Sequence, residues 1–316
     1  MKIIFGSCFQ MEDFKSEIFG AIQKEDPDVF SWLGDAAYVD DMKYVFLQPH
    51  VFADNFHSFE KVRERFWMTE SDPFYRRFVQ ESLVQVVGVW DDHDYGTNNG
   101  DRTFRHKHEM RELFLDFIKE PQNTLRRREK QRGIYQDYLV VNEEGLEVLL
   151  VLLDIRFHYD KAGDKDRLGP EQWKWLRETL RAHKHVDLTL IASGVQVLPF
   201  REYQEVEESF TPFVRDRLLR LLEEEERSSV VLLSGDVHYT QFFNTPCRAR
   251  LGYDLVELCS SGLSHILGKV VPYADLILSE MTPRIYTSTP VEGMKLNFGS
   301  IEVKREDGDI AIKLQS

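Results

Sequence analysis

Clusters of polar residues with the chemistry of metal ligands recur along this chain, and each follows a short apolar run. The clusters occupy residues 6–8, 34–40, 90–98, 154–156, 234–238 and 260–265. Short apolar runs are typical of buried strands, and the carboxyl ends of such strands form the site edge of open α/β sheets. Six polar clusters at six predicted strand ends therefore indicate one functional site.

The donor atoms in these clusters are chemically mixed. Seven side chains offer them: the oxygens of Asp35, Asp92, Asn98 and Asp236, the imidazole of His238, the thiol of Cys8 and the phenol of Tyr38. This mixture suits two unlike metals, an oxygen-rich position for Ca²⁺ or another divalent ion and a trivalent iron that accepts thiolate and phenolate. The Asp35 carboxylate is the simplest bridge between them. Two such cations lower the pKa of a shared water and stabilise an in-line displacement at phosphorus.

One histidine is surrounded by carboxylates, in the sequence Asp91-Asp92-His93-Asp94. Such crowding of like charges is costly unless cations or catalysis balance it, so it indicates function. We expect Asp91 and Asp94 to orient the imidazole of His93. A histidine in this position can assist the leaving group of a bound substrate.

Arg156 follows the apolar run 147–154 and permits two interpretations. Its guanidinium group can bind phosphate oxygens through two hydrogen bonds, which suits an anionic substrate. Alternatively, it pairs with Asp154 and fixes the loop that follows. The sequence favours neither interpretation over the other.

The elements that position these clusters are read from hydrophobic spacing. Buried strands are predicted at residues 2–5, 29–33, 84–90, 147–154, 188–193, 230–234 and 255–258, and a closing antiparallel hairpin at 295–315. Helices are predicted at residues 14–24, 56–67, 73–81, 105–119, 170–183 and 211–226. Alternation of strand and helix, with no visible repeat or linker, predicts a single α/β domain with helical insertions.

Composition excludes several classes of protein. The 316 residues carry 40 Lys+Arg against 54 Asp+Glu, a net charge of −14, and 42% are hydrophobic, which is ordinary for a globular chain. The acidic balance argues against binding to nucleic acid or an anionic membrane surface. The basic run 126–132 is typical of a solvated helix end or loop. No apolar run approaches the roughly 20 residues of a membrane span.

The expected compartment follows from the N-terminus and the cysteines. The first residues lack the apolar stretch of a secretory signal, and Cys8, Cys247 and Cys259 cannot all pair with one another. We therefore expect a cytoplasmic protein. The sequence specifies no oligomeric state.

These motifs resemble those of a known family, the alkaline phosphatase D (PhoD-like) metallophosphoesterases of the calcineurin-like superfamily. The matching motifs are GSC at 6–8, GDxxYxD at 34–40, WDDHDYGxN at 90–98, LDxR at 153–156, SGDVHxxxF at 234–242, SSGLxH at 260–265 and NFG at 297–299. They occur in the family's order and span nearly the whole chain. The chain lacks the leader and the N-terminal domain that exported members often carry, which strengthens the expectation of an intracellular role.

The resemblance implies a fold, a reaction and a site. The fold is a four-layer α/β/β/α sandwich over residues 1–316, and the reaction is hydrolysis of small phosphate esters by a metal-activated hydroxide. Iron(III) and Ca²⁺ are the implied metals, with Mn²⁺, Mg²⁺ or Zn²⁺ as alternatives. The implied ligands are Cys8, Asp35, Tyr38, Asp236 and His238, with Asn98 and Asp92 on the calcium side. The implied catalytic residues are Asp92, His93 and Arg156, and Arg156 and His265 are implied to contact the substrate.

Two alternatives stay open at this point. The first is a phosphodiesterase or phospholipase D-like enzyme acting on nucleotides, lipid head groups or phosphate polymers. The site residues do not separate it from a phosphomonoesterase, because substrate choice lies in the insertions 41–82, 99–135 and 157–170. Aromatic residues of the first insertion can line a pocket, although aromatic residues at helical spacing more often pack in the core; they are Tyr44, Phe46, Phe52, Phe56, Phe59, Phe66 and Trp67. The second is a non-catalytic homologue that keeps the fold and binds metal.

Overall fold

Two mixed β-sheets are present in the described part of the chain. The structure, a computed structural model, describes residues 1–11, 17–40, 56–129, 132–199, 209–266, 295–306 and 308–316. The first sheet has the order β11-β10-β1-β2-β3 and the second the order β4-β5-β6-β7-β9-β8. The strands are β1 Lys2–Gly6, β2 Val29–Leu33, β3 Gln85–Val89, β4 Gln136–Val141, β5 Glu147–Leu152, β6 Leu188–Ser193, β7 Val230–Ser234, β8 Thr240–Thr245, β9 Leu255–Ser260, β10 Gly299–Glu306 and β11 Asp309–Gln315.

Parallel strands form the centre of both sheets. In the first sheet β1, β2 and β3 are parallel, and in the second β5, β6, β7 and β9 are parallel. Their carboxyl ends therefore lie at the same edge of each sheet. The antiparallel strands β4, β8, β10 and β11 lie outside these parallel cores. The predicted hairpin at 295–315 is confirmed as the pair β10–β11.

Helices follow most of the parallel strands. They are α1 Glu17–Lys24, α2 Phe59–Ser71, α3 Pro73–Glu81, α4 Asp92–Tyr95, α5 Lys107–Phe117, α6 Leu125–Arg128, α7 Gly169–Ala182, α8 Pro212–Glu224 and α9 Arg248–Leu251. Helix α3 begins at Pro73, a residue with φ already set for a first helical turn, and the Asp72 carboxylate accepts hydrogen bonds from the amides of Phe74 and Tyr75.

The two sheets pack face to face with helices outside. Alternate residues of β5 show the layering: Val148, Leu150 and Leu152 belong to the core that both sheets share, whereas Leu149 and Val151 belong to a second core with α7 and α8. On the other side, α1 and α3 cover the first sheet, with Phe19 stacked on Phe78 at 6.2 Å. The predicted four-layer α/β/β/α sandwich is therefore confirmed. Among the described residues no helix has the length and apolarity to cross a bilayer.

Three local predictions differ from the structure. Strands β4 and β8 were not predicted, because their half-exposed sequences QDYLVV and TQFFNT lack a continuous apolar run. The short helix α4 lies within the stretch expected to be a loop. The basic run 126–132 was expected to be solvated, but Arg126 and Arg127 are buried, so that interpretation is wrong. Tyr44, Phe46 and Phe52, for which pocket and core positions were both open, lie outside the described residues.

Candidate metal centre

Four predicted ligands lie at strand ends with a left-handed backbone. Cys8 has φ 59°, Asp35 has φ 52°, Asp236 has φ 75° and His238 has φ 61°. Non-glycine residues rarely adopt this region, and where they do the surrounding structure must hold them there. Such strained residues are concentrated at functional sites. The fold thus holds these four residues in backbone conformations that are unfavourable for residues with a side chain.

Three buried carboxylates and the half-buried Asp236 meet where the ends of β2, β3 and β7 converge. Asp35, Asp91, Asp92 and Asp236 each have a donor oxygen, and these four oxygens all lie within 4.8 Å of one another. Asp35, Asp92 and His93 form an overlapping group of three, whose donor atoms also lie within 4.8 Å of one another. Close acidic groups at this spacing repel one another unless positive charge lies between them. The cluster therefore has the spacing of a metal centre.

Gly34 allows this close approach. Its φ is 95°, and a Cβ on it would lie 2.3 Å from the Cβ of Asp91. Any side chain there would separate the loop after β2 from the start of α4. A glycine is therefore required for both conformational and steric reasons.

Helix α4 is fastened to the loop after β2 by Asp94. One carboxylate oxygen of Asp94 accepts a hydrogen bond from the Asp91 amide at 2.7 Å, and the other accepts one from the Ala36 amide at 3.1 Å. The Asp92 carboxylate accepts a hydrogen bond from the Asn99 amide at 2.7 Å. The prediction that Asp94 orients His93 is wrong, because the Asp94 carboxylate accepts hydrogen bonds from the backbone amides of Asp91 and Ala36 instead.

The thiol of Cys8 lies beside the carboxylate cluster. Its Sγ is 3.5 Å from Oδ2 of Asp35 and 3.0 Å from Oγ of Ser261. Burial, and then the Asp35 charge, raise the pKa of this thiol well above its ordinary value. A bound cation would oppose both effects, since a coordinating thiol is deprotonated by the metal.

His93 is held between an aromatic ring and a carboxylate. Its ring stacks on Tyr38 at 4.3 Å, and Nδ1 lies 2.8 Å from Oδ1 of Asp40. Burial alone lowers the pKa of His93, but Asp40, Asp92 and Asp35 together raise it well above its ordinary value. Asp91, which the sequence suggested as the partner of His93, is not that partner; Asp40 is.

Asp91 instead binds Arg156. The Nε of Arg156 donates to Oδ1 of Asp91 at 2.6 Å, and its Nη2 is 3.9 Å from Oδ2 of Asp92. The side chain of Arg156 is fully buried. Asp154 accepts hydrogen bonds from the amides of Arg156 and Phe157, each at 3.0 Å, so it pairs with the backbone at Arg156 and the start of the following loop, and not with the guanidinium group.

His238 and His265 lie together on the other side of the cluster. Nδ1 of His238 donates to the His265 carbonyl oxygen at 3.3 Å, and the two rings are 4.5 Å apart. The His265 ring is 5.8 Å from that of Tyr38. Burial, His265 and His93 lower the pKa of His238 to about 3, so its imidazole is neutral and able to ligate metal.

The donor set fits metal ions. Tyr38 Oη, Asp91 Oδ2 and Asp92 Oδ1 are buried, and none has a hydrogen-bond partner among the described residues. Buried polar atoms are normally paired, so unpaired ones beside a carboxylate cluster fit a position where a cation binds. Burial first, with Asp92 and Asp91, raises the pKa of Asp35 to about 8 despite the opposing charges of His93 and Arg156. A bound cation would remove that penalty.

The predicted site residues divide into two groups. Asp35, Asp92, His93 and Asp236 share the cluster, and Cys8, Tyr38, His238, His265 and Arg156 lie around it through the contacts above. Asn98 is half-buried on the loop after α4, where its neighbour Asn99 holds Asp92. Asp40 and Ser261, which contact His93 and Cys8, were not predicted as site residues, although they lie in the motifs GDxxYxD and SSGLxH.

The fold and this strand-edge site together define a metallophosphatase-type architecture. The PhoD-like phosphatase family model matches residues 3–311, and this chain belongs to that family. Curated proteins give no match.

Solved structures show the same fold at low sequence identity. The structure of PhoD is 17% identical with a TM-score of 0.70, and the match covers 95% of this chain and 63% of that one. A purple acid phosphatase from seeds of yellow lupin (Lupinus luteus) is 11% identical with a TM-score of 0.57, over 100% of this chain and 51% of the other. GAP50, described as the anchor in the inner membrane complex of Plasmodium, is 13% identical with a TM-score of 0.53, over 99% of this chain and 84% of the other. This chain thus spans less than two thirds of the length of the PhoD and lupin proteins.

Proposed function

We propose that this protein hydrolyses phosphate esters with the help of bound metal ions. The observation that carries the proposal is the group of four aspartate oxygens within 4.8 Å of one another at the strand ends. Membership of the PhoD-like phosphatase family supports the same reaction. Metal ions bound by these carboxylates would concentrate positive charge at the site. A phosphate ester is the substrate class that needs this charge, since its reaction develops negative charge on oxygen.

The proposed ligands divide by chemistry. Cys8, Asp35, Tyr38, Asp236 and His238 would hold iron(III), and Asp92 and Asn98, with Asp35 shared, would hold Ca²⁺. What supports the iron position is the approach of Cys8 to Asp35 and the unpaired Tyr38 hydroxyl. Support for Asn98 as a ligand is that it precedes Asn99, whose amide donates a hydrogen bond to the Asp92 carboxylate. When bound, the metals would activate water and neutralise phosphoryl oxygens.

His93 is proposed to protonate the leaving oxygen. Asp40 holds Nδ1 of the ring, and the stack on Tyr38 fixes the ring plane, so Nε2 is the atom left to act on substrate. The three neighbouring carboxylates raise the pKa of His93 despite its burial, which keeps a proton on the ring at neutral pH. A positioned acid of this kind contributes roughly 10²–10⁴-fold to rate.

Arg156 and His265 are proposed to bind the substrate. Nη1 and Nη2 of Arg156 are buried without hydrogen-bond partners among the described residues, while its Nε is held by Asp91. These two guanidinium nitrogens would donate two parallel hydrogen bonds to non-bridging phosphate oxygens, as arginine commonly does with phosphate. The ring of His265 lies beside His238 and Tyr38, at the edge of the same group.

The test is hydrolysis of two chromogenic substrates. Protein supplied with iron and Ca²⁺ is assayed on p-nitrophenyl phosphate and on bis(p-nitrophenyl) phosphate, with a chelated sample as control. Turnover that the chelator abolishes supports the proposal, and the ratio of the two rates separates a phosphomonoesterase from a phosphodiesterase. Turnover that survives chelation contradicts it. Metal binding with no turnover of either ester supports a non-catalytic homologue instead.

A further inference from the structure

The loop that follows β9, residues 261–265, holds the backbone at Cys8. We call it the β9 loop. Its Leu263 amide donates to the Ser7 carbonyl at 3.2 Å, and its Ser264 and His265 amides donate to the Cys8 carbonyl at 3.2 and 3.1 Å. Two amides thus hold the carbonyl of Cys8 and a third holds that of its neighbour Ser7, although the φ of 59° at Cys8 is unfavourable for a side-chain-bearing residue.

Ser261, in the same loop, contacts two proposed ligands with one side-chain atom. Its Oγ lies 3.0 Å from Sγ of Cys8 and 3.0 Å from the amide nitrogen of His238. An amide can only donate, so Ser261 Oγ accepts from His238. The single hydrogen of the hydroxyl is then available to the sulfur of Cys8. Ser261 is fully buried, so water does not compete for either bond.

The β9 loop also orients the imidazole of His238. Nδ1 of His238 donates to the carbonyl oxygen of His265 at 3.3 Å, which leaves Nε2 for a metal. The amide of the same residue is held by Ser261. One short loop therefore sets the position of both the sulfur ligand and the nitrogen ligand.

We propose that Ser261 is a positioning residue that couples Cys8 to His238 and tunes the sulfur as a metal ligand. This inference rests on the proposed metal centre. A hydrogen bond donated to a metal-bound thiolate withdraws electron density from sulfur. Such bonds are among the groups that set the reduction potential of thiolate-bound iron. Ser261 would therefore raise that potential and move thiolate-to-iron charge transfer to higher energy.

The test compares Ser261→Ala with two matched variants. Ser261→Thr keeps the hydroxyl, and Ser264→Ala removes a hydroxyl of the same loop that donates to the Gln10 carbonyl at 2.9 Å. Hydrogen exchange of the peptide containing residues 236–239 is measured in metal-free protein. The visible charge-transfer band and the iron affinity are measured after iron loading.

The expected result is specific to the Ser261 hydroxyl. Ser261→Ala accelerates amide exchange at His238, shifts the thiolate band to longer wavelength and weakens iron binding by about 10- to 100-fold. Ser261→Thr restores the wild-type behaviour, and Ser264→Ala retains it.

The two ways of failing are distinguishable. If wild-type protein shows the thiolate band and Ser261→Ala changes neither band nor exchange, the inference is overturned while the proposed function stands. If iron-loaded wild-type protein shows no thiolate band, the proposed ligand set has failed. The exchange rate then decides the positioning role: faster exchange in Ser261→Ala supports it, and an unchanged rate overturns it.

Discussion

The carboxylate cluster at the strand ends is largely buried and the arginine cluster of Arg111, Arg126 and Arg127 is buried, but their charges are balanced differently. Arg126 donates to the carbonyl oxygens of Gly88 at 3.0 Å and Ile134 at 3.1 Å, and it pairs with Glu120. The protein itself supplies its acceptors. This cluster ties the segment after α5 to β3 and has a structural role.

The carboxylate cluster is balanced less completely. Among the described residues, Arg156 donates to Asp91 and lies 3.9 Å from Asp92, yet Asp92 keeps a buried oxygen without a hydrogen-bond partner. Burial of charge is therefore a poor marker of function by itself. The informative property is whether the fold supplies the counter-charge or leaves it to be bound.

Removing a central carboxylate should give the largest effect. We expect Asp35→Asn to reduce both metal content and hydrolysis by at least about 100-fold, because even the loss of a residue that only supports a ligand costs roughly 10–100-fold. Metal analysis and the chromogenic assay measure the two losses. Asp254→Asn, which removes a surface carboxylate paired with Arg248, serves as the control. A variant of Asp35 that kept its metal and its activity would contradict the account.

Removing the proposed acid should reduce turnover and leave the metals in place. We expect His93→Asn to lower kcat by about 10²–10⁴-fold, as for loss of a positioned general acid. Asp40→Asn, which keeps the imidazole but removes its Nδ1 partner, should cost less than this. His183→Asn, a half-exposed histidine 3.8 Å from Asp137, is the control. A kcat within twofold of wild type for His93→Asn would exclude the proposed role.

A substitution in the arginine cluster should lower the free energy of unfolding and leave the metal content unchanged. We expect Arg126→Met to lower the free energy of unfolding by about 3–5 kcal/mol, because it leaves the buried Glu120 carboxylate without its partner. Urea unfolding measures the loss, and metal content per folded molecule should match wild type. Arg77→Met, which breaks a pair with the exposed Glu81, should cost about 0–1 kcal/mol. Equal stability of Arg126→Met and wild type would refute the structural role.

The smallest expected effect is a change in pH dependence. The pKa of Asp35 is raised from 3.8 to about 8 in the metal-free fold, chiefly by burial. Between these two values the folded state holds a proton that the unfolded state has lost, so stability falls as pH rises. We expect the Tm of metal-free protein to fall from about pH 5 to pH 8, and Asp35→Asn to reduce that slope. Identical slopes for the variant and wild type would show that Asp35 does not carry the effect.

The fold was largely predictable because its central strands are buried on both faces. Val29–Leu33, Leu188–Ser193 and Val230–Ser234 are mostly apolar runs, and the structure confirms each with the predicted bounds. The strands β4 and β8 escaped prediction, because half-exposed sequences carry mixed polar and apolar residues. Local sequence also gave no sign that Arg126 is buried, since its acceptors come from other segments.

The site was predictable in its members and not in its pairings. Strand ends identify which residues face the shared edge, which is why Asp35, Asp92 and Asp236 could be named. The partner of each side chain depends on how distant segments meet. Asp91 binds Arg156, 65 residues away, and Asp40 binds His93, 53 residues away. Neither pairing follows from spacing along the chain.

The central claim is that metal binds among these strand-end residues. It is tested most directly by crystals of protein supplied with iron and Ca²⁺, with anomalous diffraction recorded at the iron absorption edge. The account predicts an iron peak beside the Cys8 sulfur and the Asp35 carboxylate, with a second ion on the Asp92 side. An iron-supplied crystal with no peak there, or with its peak at another place in the fold, would contradict it.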